Sequence, residues 1–214
     1  MATAFSTSEA VSFAWQTVKQ NLGFFLLLLL ILFGISFMSS FVTKALEDGP
    51  VFLTIIFQLI STAISLMIGL GMMKITLAFV DGEKPEFNEL FSTLPYIVKY
   101  FLASILYGLI VTVGLVLLIV PGIMWAIKYA YMPFVIIDKN LGPIEALKES
   151  AKITKGSRWQ ILLFGLTMIG VEILGLLALV VGLLVAVPVV MVASAYVYRQ
   201  LASRSIINKN QIAE

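Results

Sequence analysis

Between Leu22 and Val42 the chain reads LGFFLLLLLILFGISFMSSFV, 21 residues without a charge. A bilayer core of about 30 Å takes about 20 apolar residues as a helix, whose backbone groups pair within the segment. The run therefore reads as a membrane span, and it has none of the alternation of a β-barrel strand. Five more apolar runs follow: Val51–Met73, Tyr96–Val120, Ile123–Ile137, Gln160–Val180 and Leu183–Tyr198. The expected fold is all-α, a polytopic membrane protein with six transmembrane helices in three hairpins. Composition points the same way. Of 214 residues 60% are hydrophobic and 12% charged, against about 25% charged in soluble domains.

Two boundaries need argument. Val120-Pro121-Gly122-Ile123 divides the third and fourth runs and suits a tight turn, with Pro presetting φ and Gly accepting φ > 0. From Trp159 to Leu201 a single helix would be roughly 65 Å long, so the run must turn back. Gly182 is the expected place, and any position from Gly175 onward remains open. The first 20 residues lack a basic leader, so the first run is expected to be a retained span and not a signal peptide.

Amphipathic stretches precede each pair of spans. Ser6-Thr7-Ser8-Glu9 has capping-box spacing, followed by Val11, Ala14, Trp15 and Val18 on one helical face. Phe87, Leu90, Phe91 and Leu94 follow Pro85 at i, i+3, i+4, i+7. Pro143 suits a first helical position, with Glu145 near the positive pole and Lys152 and Lys155 near the negative one. Glu9/Lys19, Glu89/Lys99 and Glu145/Lys155 share one spacing, a weak repeat. The chain is thus read as one integral membrane domain, 1–214, with units 5–80, 81–137 and 138–201. A short polar C-terminal tail, 202–214, completes it.

Six spans place both termini on one side. Of the 14 basic residues, 12 then fall on that side, Lys44 alone on the other, and Lys128 within a span. The positive-inside rule makes the rich side cytoplasmic and predicts a multi-pass protein of the cytoplasmic (inner) membrane. The fourth run is marginal alone, because a central Lys costs about 2.5–3.5 kcal/mol against roughly 0.3–0.6 gained per large aliphatic residue. Were it not to cross, the five basic residues from Lys139 to Arg158 would move outside, so the crossing is retained.

The chain has no Cys and no His, which removes thiolate chemistry, the commonest metal ligand and the commonest general base. No catalytic constellation, metal site or cofactor is expected, and a net charge of +2 offers no stripe for nucleic acid. Lys128 and Glu172 are the ionisable groups well inside spans, at about 10 and 14 Å from the expected outer turns by helical rise. They form a candidate intramembrane ion pair, either structural or part of a pathway, with Tyr129 beside them. Lys152, Lys155 and Arg158 are candidate contacts for anionic lipid headgroups. Ser61, Ser65 and Gly69, like Ser104, Gly108 and Thr112, lie four apart and could let spans two and three pack closely. Pro188 inside the sixth span should kink it.

Pro121-Gly122-Ile123, Lys128-Tyr129, Pro133, Asp138, Gly142, Glu145-Ala146-Leu147, Ser150, Lys155-Gly156 and Trp159 form a series. Over residues 120–160 it resembles the uncharacterised bacterial six-helix proteins of the YciC-like group. It also resembles the membrane domain found beside some glycerophosphodiester phosphodiesterases. The resemblance implies fold and a bacterial-type cytoplasmic membrane location; without His, the enzyme's catalytic pattern does not carry over. The expected role is a non-enzymatic membrane protein that organises lipid or partner proteins. The alternative is a small transporter or channel for a solute or lipid. Membrane lipids are the expected partners, with either a second copy of the chain or another membrane protein.

Overall fold

The structure, a computed structural model, describes residues 4–46, 49–178 and 182–213, with side chains as far as Ile206. Nine α-helices occur among them: α1 (Thr7–Gln20), α2 (Leu22–Ala45), α3 (Val51–Val80), α4 (Ile97–Leu117), α5 (Ile119–Tyr129), α6 (Met132–Lys139), α7 (Pro143–Ile153), α8 (Arg158–Leu177) and α9 (Leu183–Ala213). With α5 and α6 taken together as Ile119–Lys139, six helical segments are long and apolar enough to cross a membrane. The all-α expectation and the number of spans hold.

Local chemistry explains the ends. The Ser6 hydroxyl accepts the Glu9 N–H at 3.3 Å and caps α1, one half of the expected box. α3 runs seven residues beyond the expected Met73, because Ile75, Thr76, Leu77 and Ala78 are buried and Lys74 alone gives a helix no reason to stop. It ends at Asp81, followed by Gly82 at φ 80°, a conformation costly for residues with a Cβ. The last turn lies between Leu177 and Leu183, as expected. There Gly182 approaches Gly175 and Ala178 so closely that no side chain would fit.

Two expectations are corrected. The break between the third and fourth spans is at Leu118, extended at φ −161°, ψ 141°, and not at Pro121-Gly122. Pro121 instead occupies the first turn of α5, where an amide proton has no intrahelical partner. Gly122 serves close packing: a Cβ there would lie 2.5–2.6 Å from Leu115. The second amphipathic stretch is two 3-10 turns, Phe87–Leu90 and Leu94–Tyr96, rather than an α-helix. A Glu86/Glu89 capping box starts the first, and Pro95 lies in the opening positions of the second. Residues 202–213, the polar C-terminal stretch, are helical and continue α9, which carries Pro188 within it.

The core is concentrated at one end. It contains Phe25 and Leu28 at the start of α2, the second half of α3, α6, one face of α7, the first half of α8 and the later turns of α9. This is the end where α2 begins and α3 finishes, and where most basic residues gather; we call it the basic end. α1 packs there through Ala10, Ala14 and Val18, a stripe spaced by four. Phe13 meets Tyr196 of α9 at 4.9 Å between centroids, and Phe5 meets Phe164 of α8 edge-on. Toward the other end the helices present Leu, Ile, Val and Phe outward, as lipid-facing surfaces do.

The segment between α3 and α4 folds back along α3. Thr93 is fully buried, and its hydroxyl donates to the Met67 carbonyl at 2.9 Å. A Cβ on Gly71 would lie 2.5 Å from the Leu90 Cα, so only glycine permits this approach. Gly71→Val should displace the linker and destabilise the protein by about 1–3 kcal/mol, read as a lower unfolding temperature in detergent. Gly69→Ala, two residues away, adds a methyl with nothing within 4 Å of it and should not lower that temperature.

Candidate functional site

Arg199 closes the basic end. Its Nε and Nη2 donate to the two carboxylate oxygens of Asp81 at 2.9 and 2.6 Å, and Nη1 donates to Asp138 at 2.5 Å. The second oxygen of Asp138 accepts the Tyr198 hydroxyl at 2.6 Å. One guanidinium fork on α9 thus joins the ends of α3 and α6, using the planar geometry that Lys lacks. Beneath it Tyr198 is fully buried and stacks on Phe134 at 5.4 Å, with Tyr131 at 6.3 Å. Sequence reasoning places Asp138 in a motif and Arg199 among flanking charges, but it does not bring them together.

The fourth span is interrupted at Ala130-Tyr131, leaving the last carbonyls of α5 without intrahelical partners. α7 supplies them. The Lys128 carbonyl accepts from the Ser150 hydroxyl at 3.2 Å and the Thr154 hydroxyl at 3.1 Å. The Tyr107 hydroxyl of α4 donates to the Ala126 carbonyl at 3.4 Å. Irregular backbone at membrane depth is tolerable when protein groups satisfy it. α7 therefore does more than connect spans.

The Lys128 ammonium stands over the Tyr129 ring, 4.8 Å from its centroid, in a cation–π contact. Glu172 is exposed on α8, and the two do not form an ion pair. The expected pairing is corrected on this point. By spacing Glu172 shares the stripe of Met168 and Gly175, but it is exposed, because the outer half of α8 lacks the neighbours that would cover it.

Lys152 and Lys155 are exposed at the end of α7, and Arg158 opens α8 after a turn in which Gly156 has φ 82°. Lys152 reaches Glu149 at 3.5 Å, while Lys139 holds the same carboxylate at 2.7 Å. Arg158 Nε is buried without a hydrogen-bond partner, and the adjacent Trp159 is 71% exposed. The three expected headgroup contacts are thus neighbours on one corner of the basic end.

A groove of about 700 Å³ lies between α2, α3 and α9. Ser36, Ser39, Ser61, Ser65 and Gly69 line it amid apolar side chains, and Ser39 donates to Ser61 at 3.2 Å. The Ser61–Gly69 stripe therefore faces α2 and a groove, not α4, and a Cβ on Gly108 would likewise meet nothing within 4 Å. The expected close packing of these two stripes does not occur.

Comparison with known proteins adds coarse information. Residues 109–205 match a family described as a protein of unknown function, DUF975. This is less than half of the chain, and it contains Lys128, α7 and Arg199. A stretch of 78 residues is 24% identical to a UPF0259 membrane protein of Pectobacterium carotovorum. That stretch is 36% of this chain and spans about a third, 31%, of the relative's length. No solved structure matches. The protein is thus similar to uncharacterised membrane proteins, and no activity comes with the likeness.

Two measurements test the polar links. Arg199→Met leaves Asp81 and Asp138 facing each other and should cost about 1.5–3 kcal/mol; Arg199→Lys, which cannot fork to both, should recover only part. Burial raises the Glu149 pKa, but the hydrogen bond and charge of Lys139, aided by Lys152, outweigh it and hold the group below its ordinary 4.5. Its stabilisation is therefore present above that pH and lost as pH falls through the lowered value. Glu149→Gln should flatten that acid limb in thermal unfolding followed from pH 7 downward.

Proposed function

We propose that the protein is a non-enzymatic membrane component that gathers anionic lipid at its basic end and so organises lipid, or partner membrane proteins, around it. The observation that carries this reading is the corner formed by Lys152, Lys155 and Arg158 beside exposed Trp159. Among the described residues the ion pair made from this corner is Lys152 with Glu149, a carboxylate already engaged by Lys139. Basic residues next to an interfacial aromatic attract anionic headgroups at about 1 kcal/mol per charge.

In this reading the basic end is cytoplasmic, as its charge excess favours, and the membrane is the inner one of a bacterial cell. The resemblance of residues 120–160 to YciC-like proteins and to the phosphodiesterase-associated membrane domain supports the same location and fold. The three units, 5–80, 81–137 and 138–201, remain our division of the chain.

The test is lipid analysis of nanodiscs excised directly from a mixed bilayer. Phosphatidylglycerol should be enriched around the parent over its bulk fraction, and K152Q/K155Q/R158Q should lose most of that enrichment. Equal enrichment in both proteins would overturn the reading. Liposome flux provides the contrast with a transporter: parent and K128M/E172Q should both be as tight as empty vesicles, whereas flux lost in the variant would favour transport.

A further inference from the structure

Two grooves meet at Lys128 and Tyr129 on the face formed by α4, α5 and α7. One, about 410 Å³, is otherwise lined by Leu109, Ile110, Val113 and Trp125. The other, about 390 Å³, is lined by residues of α4 and α7 that include Lys148. The rims are apolar and open outward: Leu109, Val113 and Ile144 are 60%, 53% and 54% exposed. This is a lipid-facing surface with two ammonium groups set into it.

Neither ammonium has a carboxylate partner among the described residues. The acids of α7 are turned elsewhere. Glu145 lines the far end of the same face, but its carboxylate folds back against Gly142 at the start of its own helix. Glu149 is taken by Lys139 and Lys152. The Tyr129 ring holds the Lys128 ammonium in place without neutralising it. A cation fixed in an apolar membrane surface is stabilised by an anion embedded in that same surface.

We infer that this face binds one anionic phospholipid, its phosphate between Lys128 and Lys148 and an acyl chain along Leu109, Val113 and Trp125. The shape suits an amphiphile, because the charges lie at one edge and the apolar rim continues away from them. The inference rests on the lipid-gathering reading and deepens it, adding a site separate from the Lys152–Arg158 corner.

Trp125 is the reporter. Trp15 and Trp159 are 53% and 71% exposed, so W15F/W159F leaves one of the three tryptophans without touching the core. The full chain carrying these changes is placed in bilayers containing chain-brominated phosphatidylglycerol or chain-brominated phosphatidylcholine at low mole fraction. Brominated phosphatidylglycerol should occupy the site with about fivefold preference per ammonium, seen as stronger Trp125 quenching. K128M should cut the ratio about fivefold, K128R should retain it, and K148Q, at an exposed position, should lower it by less. Equal quenching by both lipids in the parent, or an unchanged preference in both K128M and K148Q, overturns the site. Loss of quenching preference with phosphatidylglycerol enrichment intact in nanodiscs removes this site while leaving the broader reading standing. Quenching relieved only by an acidic transmembrane peptide, and not by unbrominated phosphatidylglycerol, would assign the face to a protein partner and overturn the inference.

Discussion

The arrangement of the six spans depends on satisfying polar groups where water is scarce, and Arg199 is where that constraint is met most completely. Inside lipid, van der Waals contact does little to choose one helix neighbour over another, since acyl chains offer similar contact. A guanidinium that must face two carboxylates does choose. By binding Asp81 and Asp138 together, Arg199 sets the relative rotation of α3, α6 and α9 and lets Tyr198 stack beneath. The well-packed core surrounds this junction, and the remaining spans extend from it.

The same constraint explains the broken fourth span. A continuous helix would need no help, but α5 and α6 part at Tyr131, and three hydroxyls, from Tyr107, Ser150 and Thr154, take up carbonyls near the break. α7 is consequently built into the bundle. Its apolar side is buried through Ala146, Leu147 and Ile153, its hydroxyls serve α5, and its cations face outward. Lys128 therefore ends a helix supported from the basic end, which is why Glu172, on the uncovered half of α8, does not meet it.

The spans are legible in the sequence because length and hydropathy are summed over about twenty residues and tolerate local error. The amphipathic character of α1 and α7 is legible for a similar reason, through spacing. The links between elements are not. Arg199 and Asp81 are 118 residues apart, and Arg199 and Asp138 are 61 apart; each looks like an ordinary flanking charge. The one available signal is positional: all three follow directly or nearly so on an apolar run, so they emerge at the same membrane level. Pro121-Gly122 misleads because turn statistics apply to water, where a tight turn needs no close helix packing. Here Gly122 instead allows α5 to lie against Leu115, and the chain reverses at a single extended residue.

α3 has 30 residues, about 45 Å at the helical rise, against a hydrocarbon core of about 30 Å. Its buried half is clasped at the basic end, whereas its first half touches few neighbours. The splayed half can lean as the surrounding lipid thickens or thins, while the clasped half keeps its geometry. A helix longer than the hydrocarbon core is accommodated by tilt, and the unclasped half of α3 has the room for it.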